Sequence, residues 1–186
     1  WRRLLLPSDA TFWELHIAIQ DSFGWFDYHL HKFIVGYAWD RNAIHISMSY
    51  PEDCWEDRET LEEEKTRLDE FIGSDRPKFT YVYDFGDDWV HKIVLEKVLP
   101  FDHKEVYPQV IAGKRACPWE DSGGVGDYED KIEILKDRKH PEHRDIAEWV
   151  GIDDFDKLDL EAFNPTDVAF RDPKTELQQW KREMDL

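Results

Sequence analysis

The chain has 186 residues, a formal net charge of −18 and a pI of about 4.7, with 41% hydrophobic and 15% aromatic residues. That apolar share excludes a disordered chain, and the length favours one domain over 1–186, because two cores would each be small. So acidic a surface repels phosphate, which argues against direct binding to duplex DNA, and two cysteines, Cys54 and Cys117, exclude a disulfide-dense secreted fold.

The first stretch, W-R-R-L-L-L-P, reads as the end of a strand that begins abruptly, so further residues are expected before Trp1. Thr11 with Glu14 three residues on is a capping box, opening a helix that runs to about Phe23 and stops at Gly24. Phe12, Leu15, Ile19 and Phe23 form one apolar stripe, with Trp13 and Ile17 on a second side, so this helix is expected to be heavily buried. His16 lies beside the first stripe, and its simplest reading is a core-edge histidine bonded locally. Next, Phe33, Val35, Tyr37 and Trp39 alternate, as do Ile44, Ile46, Met48 and Tyr50. A two-residue turn at Arg41-Asn42 would pair the two sets on one face of a hairpin. His29 and His31 share the parity of Phe33 and point to the covered side. Residues 51–64 are strongly acidic and read as a solvated loop or helix face, and 66–72 as a short helix.

The most informative stretch is 78–96, K-F-T-Y-V-Y-D-F-G-D-D-W-V-H-K-I-V-L-E. Phe79, Tyr81, Tyr83 and Phe85 alternate, a Gly/Asp turn interrupts, and Trp89, His91, Ile93 and Leu95 resume the period of a half-buried strand. A three-residue loop would set Phe85 opposite Trp89, Tyr83 opposite His91 and Tyr81 opposite Ile93, collecting the aromatics on one face. The next segment, 100–108, reads as irregular. In 113–129, G-K-R-A-C-P-W-E-D-S-G-G-V-G-D-Y-E, four glycines and a proline favour an ordered loop over a regular element. Helices are then expected over 128–137, from Pro141 to Val150 with Gly151 as the stop, and over 175–184 carrying Trp180; Asn164-Pro165 could open a short one.

The Gly123-Gly124-Val125-Gly126 run is not a phosphate loop. The Walker lysine-serine pair is absent, and Glu120, Asp121 and Asp127 repel phosphate. Ser122 lacks the frame of a hydrolase elbow. Cys117 between Ala116 and Pro118 reads either as a nucleophile awaiting a histidine or as a small buried residue. The residues that could form a site are His29, His31, Asp84, Asp87, His91, Arg115, Cys117, Glu120 and Asp121. Within that set His29, His31, Asp87 and His91 could ligate a divalent Zn, Mn or Fe ion, two imidazoles and carboxylates being a workable donor set. The competing reading has Asp84 and Asp87 capping the turn, His91 in the core, and Arg115 neutralising one of the acids.

Four stretches together, W-R-R, H-L-H-K-F, Y-D-F-G-D-D-W-V-H-K-I-V-L-E and R-A-C-P-W-E-D-S-G-G-V-G-D-Y, resemble the plasmid pRiA4b ORF-3-like family over about residues 1–165, leaving 166–186 as an extension. The resemblance implies an association with plasmids and mobile elements and a family without an assigned activity. Some members carry a transposon-resolvase label; serine recombinases need a basic DNA-binding portion, which this acidic chain lacks. Many relatives have Pro where this chain has Trp119, and a second Cys where it has Ser122. A paired-cysteine role is weakened accordingly.

The expected fold is α+β: a mostly antiparallel sheet from two hairpins and the N-terminal strand, with the 11–23 helix on one face. The expected function is a non-enzymatic binding or interaction domain, with a pocket where the D-F-G-D-D-W turn meets the R-A-C-P-W-E-D-S-G-G loop. The alternative is a metal-dependent hydrolase using His29, His31, Asp87 and His91, with Glu120 or Asp121 as base. No cofactor is required, a divalent metal being the one such a cluster could take. The partner is an unknown protein or small molecule. No run has the length of a membrane span and no signal peptide is visible, so a cytoplasmic protein is expected.

Overall fold

The computed structural model describes residues 1–36, 41–48, 60–72 and 78–184, so the expectations for Tyr37, Trp39, Tyr50, Cys54, Gly73 and the acidic run from 51 to 59 lie outside the described residues. The fold is α+β with mostly antiparallel sheets. In chain order the elements are β1 (Arg2–Leu5), α1 (Phe12–Phe23), β2 (His31–Val35), β3 (Ile44–Ser47), β4 (Thr60–Glu62), β5 (Lys78–Tyr83), β6 (Trp89–Val94), β7 (Gln109–Gly113), α2 (Gly124–Lys136), α3 (His143–Val150) and α4 (Pro173–Glu183). Short 3-10 turns lie at Leu68–Phe71, Phe155–Lys157 and Pro165–Asp167.

The main sheet has the order β4-β3-β2-β5-β6, antiparallel except for the parallel β3–β4 pair. Its inner face carries Phe33, Ile46, Phe79, Tyr81, Tyr83 and Trp89, and α1 lays Phe12, Leu15 and Ile19 on them. Phe12 meets Phe33 edge-on at 5.0 Å between ring centroids, and Phe33 meets Tyr81 at 4.8 Å. Each such ring taken from water contributes on the order of 2 kcal/mol, so this seam of aromatics dominates the fold. The opening of α1 is the expected capping box: the Thr11 side chain accepts from the Glu14 N–H, and the Glu14 carboxylate accepts from the Thr11 N–H at 2.7 Å. Trp13 and Ile17 face away from the sheet, and α4 covers them with Leu177 and Trp180.

Five expectations need correction. The N-terminal strand does not join the main sheet; β1 pairs with β7 in a separate two-stranded sheet, because the short Q-V-I-A-G strand offers a partner that its sequence hardly signals. Both hairpins form with a shifted register, and Phe33, Ile46, Phe79, Tyr81, Tyr83 and Trp89 of the expected inward sets are buried. Val35 lies opposite Ile44 rather than Met48, a slip of four residues that keeps the same parity on the inner face. In the central hairpin Tyr83 faces Trp89 and Tyr81 faces His91, which leaves a five-residue turn, 84–88, and takes Phe85 out of the ladder. The cause is Asp84. Its N–H donates to the Leu30 carbonyl at 2.9 Å, it takes φ +55°, and its Oδ1 accepts the Gly86 and Asp87 N–H groups at 2.9 and 3.3 Å. An aspartate that bonds its own turn tolerates the left-handed region and ends the strand two residues early.

The acidic run is also not solvated to its end. Thr60–Glu62 forms β4, Leu61 packs against the core, and Glu63 is fully buried. Finally, the glycine stretch is not all loop: α2 starts at Gly124, four residues before the expected Tyr128.

Candidate functional site

Three loops converge at one end of the main sheet: 25–29 after α1, the 84–88 turn, and 117–124 before α2. The Asp87 carboxylate accepts the N–H of Gly123 at 2.7 Å, so a hairpin turn caps a helix 36 residues away. That placement satisfies an N-terminal amide and sets negative charge at the positive end of the helix. Gly123 and Gly124 both sit at positive φ, +81° and +77°. A Cβ on Gly124 would stand 2.2 Å from the Asp87 carbonyl oxygen, so only glycine permits this approach. Glu120 ties the remaining pair of loops together: one carboxylate oxygen accepts the Phe26 N–H at 2.7 Å and the other accepts the Tyr83 hydroxyl, which itself accepts the Tyr28 N–H at 3.1 Å. The Trp25 indole N–H donates to the Pro118 carbonyl at 3.0 Å.

On the open side of this seam His29, Asp84 and Asp121 form one group. His29 Nε2 lies 2.7 Å from Asp121 Oδ1 and 3.7 Å from Asp84 Oδ2, and the three ligating atoms fall within 4.8 Å of one another. Two aromatic rings flank the same loop in water: Phe26 and Tyr28 are 67% and 73% exposed and stack at 5.5 Å. The expected pocket lies to one side. A groove of about 750 Å³ runs past Arg2, Phe23, Trp25, Phe26, Cys117 and Phe163 and does not reach the 84–88 turn. Turn and glycine loop therefore meet in direct contact, with the hollow beside them.

The other candidates are distributed elsewhere. Arg115 pairs with Glu161 at 3.1 Å on the surface and with none of the seam acids. Burial pushes the Cys117 thiol far up, with Arg2 opposing, which favours the small buried residue over the nucleophile. Burial and then Glu120 likewise keep the Tyr83 phenol protonated. His91 sits among Phe23, Trp25 and Tyr81, its Nδ1 donating to the Trp89 carbonyl at 3.0 Å. Burial lowers its pKa. His31 is buried against Glu63, with Nε2 3.0 Å from each carboxylate oxygen. Among the described residues, no metal-sized group unites His29 with His31 or His91, so the four-residue set His29, His31, Asp87 and His91 is not assembled. The physical reason is the pleat: parity placed His31 and His91 on the inner face, where their own partners hold them, while His29 precedes β2 and turns outward.

Sequence reasoning missed the polar centre that His31 shares. The His16 ring stacks on the His31 ring, centroids 3.5 Å apart and planes 3° apart. His16 Nε2 donates to Asp27 at 3.0 Å, and Nδ1 meets the Tyr81 hydroxyl at 2.9 Å, which also receives the Gln20 amide at 2.8 Å. Burial, and then the neighbouring His31, lower the pKa of His16. Burial opposes charge on His31 as well, but Glu63 outweighs it and raises that pKa. Histidine 16 is thus bonded across the core and not locally. Glu63 carried no signal, being one of many acids in its run, and neither did Asp27 between two exposed aromatics. His16, Asp27 and His31 also form a group whose ligating atoms lie within 4.8 Å, but both imidazoles are buried away from water, and stacked rings direct their lone pairs in parallel rather than at one ion.

These features define an α+β protein whose polar loops are locked to one end of an aromatic-cored sheet. The chain belongs to the plasmid pRiA4b ORF-3-like protein family, which matches residues 1–167. It is 30% identical over 155 residues to the uncharacterized protein y4hQ of Sinorhizobium fredii (strain NBRC 101917 / NGR234), covering 83% of this chain and 75% of that one. It is also similar to the crystal structure of a protein of unknown function, MM3350 from Methanosarcina mazei Go1, at a TM-score of 0.78 and 40% identity over 91% of this chain and 89% of the other. Neither name carries an activity. No helix among the described residues is long and apolar enough to cross a membrane.

Proposed function

We infer that this protein is a non-enzymatic binding domain whose ligand site is the seam of loops 25–29, 84–88 and 117–124, and that the ligand is positively charged. The observation that carries this reading is the Asp87–Gly123 bond with the close approach at Gly124, which holds His29, Asp84 and Asp121 together beside two exposed rings. Side chains held on a locked scaffold bind with little ordering cost. Acids beside exposed aromatic faces favour a cation through charge and through the ring quadrupole, in keeping with the net charge of −18. A binding role is favoured over catalysis because the thiol of Cys117 and the phenol of Tyr83 are both held protonated, and Glu120, a base in the hydrolase reading, is engaged by Tyr83 and Phe26.

Titration of isotope-labelled protein with a lysine octapeptide, followed by amide chemical shifts, tests this. Saturable shifts are expected at 25–29, 84–88 and 119–124, with loss of at least half the affinity in Phe26→Ala or Tyr28→Ala. Shifts scattered over the acidic surface, indifferent to both substitutions, would reject the seam as the site.

A further inference from the structure

We propose that His29, Asp84 and Asp121 form a divalent-cation site, filled by a first-row ion such as Mn²⁺, Fe²⁺ or Zn²⁺. This rests on the seam being the binding site and names the ligand. Each ligand comes from a different loop: His29 from the approach to β2, Asp84 from the hairpin turn, Asp121 from the stretch before α2. One imidazole and two carboxylates make a donor set suited to such ions. Atoms bound at about 2.1 Å to one ion cannot be more than about 4.2 Å apart. The present spread, within 4.8 Å, therefore needs to close by only a fraction of an ångström.

Asp84 is already aimed. Its Oδ1 is held by the Gly86 and Asp87 N–H groups, which leaves Oδ2 facing His29. A ligating carboxylate fixed by backbone donors is the usual outer-shell arrangement around a metal. Asp121 is the adjustable member, 58% exposed at the side chain, while Asp84 is 11% exposed and His29 30%. That gradient leaves one side open for water to complete the coordination. The charge around the group is one-sided. Asp87 is spent on Gly123 and Glu120 on Tyr83 and Phe26, and among the described residues neither Asp84 nor Asp121 has an ion pair to lysine or arginine. A divalent ion would neutralise both carboxylates at once.

Paramagnetic Mn²⁺ added in substoichiometric amounts to the labelled protein reads the position directly. Amide broadening is expected to centre on 28–30, 84–86 and 120–122. His29→Gln and Asp121→Asn should each weaken binding at least tenfold while keeping a dispersed, folded spectrum, and Glu183→Gln on α4 should leave it unchanged. Asp84 is not the residue to replace, since its other oxygen holds the turn. Broadening without a centre, or a centre indifferent to both substitutions, overturns the proposal. Should Mn²⁺ fail while the lysine octapeptide still shifts the seam amides, the cation site falls and the binding reading stands. Failure of both probes removes both.

Discussion

The carbonyl oxygen of Asp87 occupies the space where a side chain at position 124 would begin, 2.2 Å from the ideal Cβ. The hairpin turn and the start of α2 are thus in backbone contact, and the positive φ of Gly124 adds a second reason for glycine there. Gly124→Ala must push the two loops apart, and a cost of about 3 kcal/mol is expected from strain and displacement together. Gly126, two residues on and inside α2, has nothing within 4 Å of its Cβ position, so Gly126→Ala should gain about 0.5 kcal/mol. Urea denaturation of the two variants checks the pair. Equal effects would mean the loops do not touch as described.

Glu63 is fully buried and holds His31 through both carboxylate oxygens. Glu63→Gln removes the carboxylate that supports charge on the buried His31 and accepts its ring N–H, with an expected loss of about 3 kcal/mol. Replacing both partners with apolar residues, His31→Phe with Glu63→Met, should recover part of that loss, because no unpaired charge then remains. A double variant less stable than the single one would contradict this account.

Burial lowers the pKa of His91 below its ordinary 6.5. The unfolded chain therefore binds a proton at a pH where the folded chain does not. The stability from keeping His91 neutral is complete above pH 6.5 and is lost as pH falls through the depressed folded value. His16, also lowered, adds a slope of the same sign. His31, whose pKa Glu63 raises, contributes a slope of the opposite sign, so the test is a difference: between pH 8 and pH 5, His91→Gln should lose less stability, or gain more, than the unaltered protein. Identical slopes in both proteins would place His91 in water.

Ser122 is buried, and its hydroxyl has no hydrogen-bond partner among the described residues. An unpaired buried hydroxyl is costly, so Ser122→Ala should raise stability by about 1 kcal/mol. A loss of similar size in thermal or urea unfolding would show that the hydroxyl is satisfied in solution.

Features of period and local chemistry were legible in the chain itself. The two stripes of α1, its Thr11–Glu14 capping box, the stop at Gly24, the inward face of Phe79, Tyr81 and Tyr83, and the terminal helix with Trp180 depend on residues within a few positions of each other. The meeting of the 84–88 turn with the glycine loop was legible too, from the crowding of acids, histidine and glycine in two stretches. Register, partnership and distance were not. Asp84 shortened β5 by bonding Leu30, Asp87 started α2 from across the fold, Glu63 left an acidic run to pair with His31, and β1 found β7 more than a hundred residues away. Each of those outcomes depends on a hydrogen bond or ion pair between groups distant in sequence. Alternation fixes which face a side chain takes, but only the folded chain decides which group waits there.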